Sequence, residues 1–252
     1  MKLLLTLSYV GTDFCGYQVQ KNSRTVQGEI NAAAEALFGF ACDVTGCSRT
    51  DAGVHANCFC ATVTRAGEKS LETHIDAARI PVAMNAHLPI DVAVRDAKWV
   101  NEDFHPRYDV KYKEYIYRIY NSPVRNPFEE GRAWHIPSAF DDKAVDDMRE
   151  AAQSYVGKHD FVSFMASGSK VESTEREVYY ADVEKNGDVI TFRVAADGFL
   201  YNMVRIMTGT LVAVAQKKIA PDGIGRIIES KNRQLAGMTA PADGLYLNKV
   251  AY

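Results

Sequence analysis

Three stretches of the 252-residue sequence carry side chains whose types and spacing could do chemistry. The first is GCSRTDAGVHA, Gly46 to Ala56, where Arg49, Asp51 and His55 stand among small residues. A carboxylate there can act as nucleophile or base, and small residues let a backbone come close to a ligand. The same composition suits a tight surface turn, in which Asp and Gly are common. The second is Arg205, the sole charge between Asp197 and Lys217 in a mostly apolar run. A guanidinium there calls for a carboxylate or phosphate partner, unless its stem carries it out to solvent. Asp51 is one candidate acid. The third is VKYKEYIYRIY, where strand alternation puts Lys111, Lys113, Tyr115 and Tyr117 on one side. Rings beside cations suit stacked bases and their phosphates, although tyrosine is also simply a good strand former.

His55, Cys58 and Cys60 raise a metal question. Tetrahedral zinc sites usually draw on two knuckles or a loop-borne Cys-x-x-Cys, and small buried cysteines in a strand are the commoner case. No metal is expected. A Cys47–His55 nucleophile pair lacks a third group to orient it.

These residues must be held by ordinary elements. A strand is expected at about Lys2 to Tyr9, then a loop, then a helix over VQGEINAAAEALFG with Thr25 as its N-cap. Strands at ACDVTG and NCFCATVTR flank the Asp51 loop, a second helix covers roughly Leu71 to Met84, and DVAVRDAKWV returns as a strand. A second half opens with the tyrosine strand, followed by a helix at DDKAVDDMREAAQSYVG. Two alternating strands then turn around Asn186-Gly187, a strong hairpin signal. A helix near Leu200 to Gln216, bearing Arg205, and a short one near Asp222 to Ser230 complete the pattern. Strand, helix and strand pair recur in each half, with the joint near NEDFHPRYD, giving expected domains 1–103 and 104–252.

Composition sets limits. With 47% hydrophobic and 24% charged residues the chain reads as an ordinary globular protein. Its net charge of −3 gives no overall basic signature, so a nucleic-acid partner would need a local patch of Lys and Arg. Five cysteines, an odd number, and an N-terminal run without signal-peptide flanks fit a cytoplasmic, reducing compartment. The apolar run after Asp197 is interrupted by Asn202, Arg205, Thr208, Thr210 and Gln216, so a buried helix fits it better than a membrane span.

Seven stretches in order make the chain resemble the tRNA pseudouridine synthase A family. They are YVGTDFCGYQVQ, TVQGEI, GCSRTDAGVHA, FHPRYDVKYKEYIYRIYN, GKHDFVSF, GFLYNMVRIMTGTL and LAGMTAPADGLYLNKVAY. The resemblance implies an α+β fold of two ferredoxin-like (RRM-like) halves around a central active-site cleft, working as a homodimer. It implies isomerisation of uridine to pseudouridine in the anticodon arm of tRNA, at the family's positions 38, 39 and 40, with no cofactor. Asp51 is then the essential carboxylate, Tyr115 stacks on the target uracil, and Arg205 pairs with the carboxylate. Leu245 packs near the base, and Arg49 enters the RNA stack when the target nucleotide is extruded. Phe104, His105, Pro106, Arg107 and Tyr108 are expected RNA contacts, as are Lys170, Val171, Glu172, Ser173 and Thr174. Two positions depart from the family pattern: Ser48 stands where Gly is usual before RTD, and Tyr17 replaces the Trp of a GWQ motif.

Two rival classes remain on the residues alone. A non-catalytic RNA-binding protein would lack the Asp or the Arg, and both are present. A glycosidic hydrolase would want a second carboxylate and a water, and the matched motifs offer no such acid.

Overall fold

The computed structural model describes residues 1–168 and 171–252. The chain runs β1 (Lys2–Tyr9), α1 (Val26–Phe38), β2 (Cys42–Gly46), β3 (His55–Arg65), α2 (Ile80–Asn85) and β4 (Val92–Val100). It continues through β5 (Tyr112–Asn121), β6 (Trp134–Ile136), α3 (Asp142–Gln153), β7 (Gly157–Asp160), β8 (Glu175–Asn186) and β9 (Val189–Ala196). Then come α4 (Met203–Ala215), α5 (Gly223–Ser230) and β10 (Leu245–Ala251). The fold is mixed α/β. Its contacts divide into two compact units, Met1–Lys111 with Tyr246–Tyr252, and Tyr112–Leu245. The division falls past the expected 103/104 joint, and it returns the last strand to the first unit.

In the first unit β1 lies between β3 and β4, antiparallel to both. β3 is eleven residues long and holds two partners besides β1. β2 runs antiparallel along Ala61–Arg65, while β10 runs parallel beside His55 and Ala56. Leu3, Leu5 and Leu7 of β1, Phe59 and Val63 of β3, Ile30 of α1 and Ile80 and Met84 of α2 are all buried. Burying side chains of this size contributes roughly 1.5–3 kcal/mol each. α1 begins where Thr25 predicts: its hydroxyl accepts the Gly28 N–H at 3.3 Å. The second helix is shorter than expected. Between Leu71 and Asp76 short side chains satisfy the backbone instead, Thr73 Oγ1 accepting from Ile75 and Asp76 Oδ1 from Ala78. A 3₁₀ turn at Ala77–Arg79 intervenes, and Pro81 sits in the first turn of α2, where its missing N–H does no harm.

In the second unit the order is β5, β9, β8, β7, all antiparallel, with β6 running parallel beside β5 at Ile119–Asn121. The β8–β9 turn is the predicted hairpin, with Gly187 at φ +57°. α4 is buried along nearly its whole length, as its apolar sequence demands. Among the described residues no helix is long and apolar enough to cross a membrane.

Candidate active site

The Asp51 loop joins β2 to β3, and its neighbours fasten it to the strands and to the segment before α1. Thr50 is buried; its hydroxyl shares a 2.8 Å hydrogen bond with Tyr9, and its carbonyl accepts the Tyr17 N–H at 3.1 Å. Cys47 donates its N–H to the Cys60 carbonyl at 2.8 Å, and Gly53 donates to Phe14 at 3.4 Å. Asp51 itself is half-buried, its carbonyl accepting from Val54, while Arg49 and Ala52 are exposed. Gly53, at φ +81°, turns the chain back into β3. Two clamped residues thus hold a carboxylate between an exposed arginine and an exposed alanine.

The segment 11–17 forms the floor of this loop, a role the sequence reading did not give it. Gly11 donates to His55 Nδ1 at 2.9 Å, so in a neutral ring the proton of His55 sits on Nε2. The ring also stacks on Tyr246 at 4.5 Å. His55 is therefore a structural post between loop and strand. A side chain at Gly11 would place its Cβ 2.0 Å from the Val54 carbonyl oxygen. At Gly46 a Cβ would lie 2.6 Å from the Tyr17 ring, so this glycine makes room for the protein's own aromatic. Among the described residues no group of three or more His, Cys, Asp or Glu is placed to hold a metal ion.

In the second unit Arg205 lies in the first turn of α4. Its Nε donates to the Ala240 carbonyl and its Nη1 to Asn202 Oδ1, both at 2.8 Å. Its own carbonyl accepts the Ala240 N–H at 3.1 Å. Arg205 is half-buried, and these three hydrogen bonds fix its orientation. Tyr115 is buried with its ring edge-on to Phe199 at 5.0 Å, and Leu245 is buried too. Tyr117, placed on the same face by sequence, serves the core: its hydroxyl donates to the Pro241 carbonyl at 2.7 Å and its ring meets Trp134.

Lys170 lies outside the described residues. Val171, Glu172 and Ser173 are exposed, and Thr174 anchors the end of their loop. Its hydroxyl donates to Asp160 Oδ1, while Lys231 reaches Asp160 Oδ2 at 2.9 Å. The Lys231 ammonium first, then Thr174, holds the Asp160 carboxyl below its usual pKa. Native stabilisation from that group is complete above the ordinary carboxylate pKa and is lost as pH falls through the depressed value. Asp160→Asn should therefore weaken the dependence of stability on pH at the acid limb. Urea melts of both proteins below pH 5 would reveal no difference in slope if the pair contributes nothing.

The remaining expected RNA contacts gather on the first unit. His105 and Asp109 lock a turn reciprocally: His105 N–H donates to Asp109 Oδ2 at 2.9 Å, and Asp109 N–H to the His105 carbonyl at 3.1 Å. Pro106 is buried under the Tyr252 hydroxyl, and Phe104 packs edge-on against the Tyr252 ring. Arg107 and Tyr108 are exposed. His105, Arg107 and Tyr108 line one surface pocket of about 210 Å³ together with Arg49. Tyr17 and Ser48 line the same pocket.

Residues 6–109 and 151–252 match the family model described as tRNA pseudouridine synthase. Three relatives named tRNA pseudouridine synthase A align almost end to end. That of Thermoanaerobacter sp. (strain X514) is 41% identical over 250 residues, covering 99% of each chain. That of Ruminiclostridium cellulolyticum is 41% identical over 252 residues, 100% of this chain and 99% of its own. That of Moorella thermoacetica is 43% identical over 252 residues, 99% of each. Among solved structures, a chain of the crystal structure of a Cbf5-Nop10-Gar1 complex covers 97% of this chain and 57% of its own length at 14% identity. Its TM-score of 0.37 is too low to bear on the fold.

Proposed function

Because the chain belongs to the tRNA pseudouridine synthase family, we propose that it isomerises uridine to pseudouridine in the anticodon arm of tRNA, with Asp51 as its reacting carboxylate. End-to-end similarity at 41–43% identity carries this reading. In the reaction the bond from C1′ of the ribose to N1 of uracil breaks, the ring turns, and C1′ bonds to C5. The proton leaving C5 balances the one gained at N1, so nothing is added and no cofactor is called for. Asp51 meets the sugar or the base, a role supported by a loop whose neighbours are clamped while its own side chain stays half-buried. Tyr115 stacks on the uracil, Leu245 packs beside it, and Arg205 supplies the guanidinium that answers a carboxylate. Arg49 enters the RNA stack.

The finer architecture is part of the same reading: each unit is a ferredoxin-like half, and two chains form a homodimer in the cytoplasm. An antiparallel sheet packed on helices in each unit supports the first point. Since net charge is −3, tRNA must meet local cations, and binding should weaken as salt rises. The test is incubation with unmodified tRNA transcripts, without cofactor, and mapping of pseudouridine by nucleotide. Product in the anticodon arm is expected; product confined to other regions would overturn the substrate assignment.

A further inference from the structure

The pocket on the first unit holds a group that the protein itself leaves unanswered. Tyr17 is almost fully buried, its ring stacked on Phe59 at 4.3 Å, yet its hydroxyl has no hydrogen-bond partner. A buried hydroxyl without a partner carries a penalty of about 1–3 kcal/mol, which a bound ligand would relieve. Burial first, with the neighbouring Cys47, keeps that hydroxyl protonated and so able to donate. Around it the lining includes two arginines, Arg49 and Arg107, and no Asp or Glu. That sign is unusual on a chain of net charge −3.

The rim adds aromatic surface. Tyr108 is 76% exposed, with its ring 4.2 Å from that of His105 and the Arg107 guanidinium 6.0 Å from its centroid. His105 Nδ1 accepts the N–H groups of Arg107 and Tyr108 at 3.1 and 3.3 Å, which leaves Nε2 as the protonated nitrogen of the neutral ring. Donors, cations and an exposed aromatic ring are therefore concentrated in one place. Size then narrows the ligand. At about 210 Å³ the pocket falls below the roughly 300–1,000 Å³ of sites that enclose a whole small molecule. It fits one unit of a longer ligand. A bare phosphate would use the arginines and the hydroxyl but leave the rings unused.

We propose that this pocket is a subsite for one nucleotide of the substrate RNA other than the uridine being isomerised. Arg107 takes its phosphate, the exposed ring of Tyr108 takes the face of its base, and the Tyr17 hydroxyl donates to the base edge. This rests on the reading of the protein as a tRNA synthase, and it makes Tyr17 a specificity-determining residue. The decisive variant is Tyr17→Phe, which keeps the ring on Phe59 and removes only the hydroxyl.

With an unmodified tRNA transcript as probe, KM should rise about five- to tenfold while kcat holds, since one hydrogen bond to substrate is lost. The melting temperature should stay level or rise, because the free protein loses a buried orphan group. A structural role would lower it. Arg107→Ala should reduce the slope of log affinity against log salt by about 0.7–0.9, the signature of one phosphate contact. Wild-type KM in Tyr17→Phe, or a KM change matched by a lower melting temperature, overturns the role of the hydroxyl. An unchanged salt slope in Arg107→Ala overturns the phosphate contact. A wild-type protein that neither binds nor modifies the transcript would overturn the tRNA reading, and the subsite with it. Normal modification with wild-type behaviour in both variants removes the subsite alone.

Discussion

Asp51→Asn should yield a protein that melts like the parent, binds tRNA and forms no measurable pseudouridine. The loop explains why folding survives. The hydrogen bonds through Thr50, Cys47, Gly53 and the Asp51 carbonyl stay in place when the carboxylate becomes an amide. The amide is isosteric and the site is half-buried, so packing changes little. What disappears is the negative charge, which on the proposed reading attacks a carbon or takes a proton. Removing a nucleophile from a concerted site has effects of about 10⁶-fold, and removing a general base about 10²–10⁴-fold. Either loss lies far beyond what a change in binding would give. Pseudouridine mapping after single-turnover incubation, beside a filter-binding isotherm, separates the two. Activity within tenfold of wild type in Asp51→Asn would end the assignment.

Gly209→Ala is expected to be the most damaging single-methyl change in the second unit. A Cβ at Gly209 would stand 1.8 Å from the Met238 carbonyl oxygen, and backbone cannot give way as a side chain can. Overpacking of this kind costs about 1–3 kcal/mol or more, against a gain of roughly 1 kcal/mol in helix propensity. At the upper end of that cost, where a backbone clash belongs, the net loss is about 2 kcal/mol, a fall of about 4–8 °C in melting temperature. The consequence reaches further than stability, because the displaced segment leads directly to Ala240, which holds Arg205 on two sides. Activity should fall more than the fraction unfolded explains. Gly225→Ala is the matched control: it too is helical, nothing lies within 4 Å of its Cβ, and it should raise stability slightly. Equal melting temperatures for the two variants would show that the contact at Gly209 is soft.

Most elements around the site were legible because their signals are local. Thr25 capped α1 as its type predicts, and the hairpin sits at Gly187. The loop bearing Asp51 lies between two strands that alternation alone suggests. What escaped depends on distant partners. The short β6, only Trp134–Ile136, has no period to read, and exists as a strand through its pairing with Ile119–Asn121. β10 follows a stretch rich in Gly and Pro, and its residues beside β3 are named only by the fold. Among the candidate residues, type and order singled out Asp51, Arg205 and Tyr115. No sequence signal marked Tyr9, whose hydroxyl fastens Thr50, and Tyr17 stood out only as a departure from the family's Trp, with nothing to say that its hydroxyl is left over. Tyrosines are equally at home in a core, and which hydroxyl finds a partner is settled by packing.

The parallel pairing of β10 with β3 also sets a timetable. Asn57 hydrogen-bonds Asn248, 191 residues further along the chain, and Lys111 donates to the carbonyl of Ala251. During synthesis the second unit, Tyr112–Leu245, emerges complete before the first has its final strand. At about 5–20 residues per second the first unit waits roughly ten seconds or more with one edge of β3 open beside His55. The second unit has all its own residues in hand by then and can fold while the earlier one is still unfinished. The part of the chain made first is therefore the last to close, and the post under the Asp51 loop is set when Tyr246 arrives to cover His55.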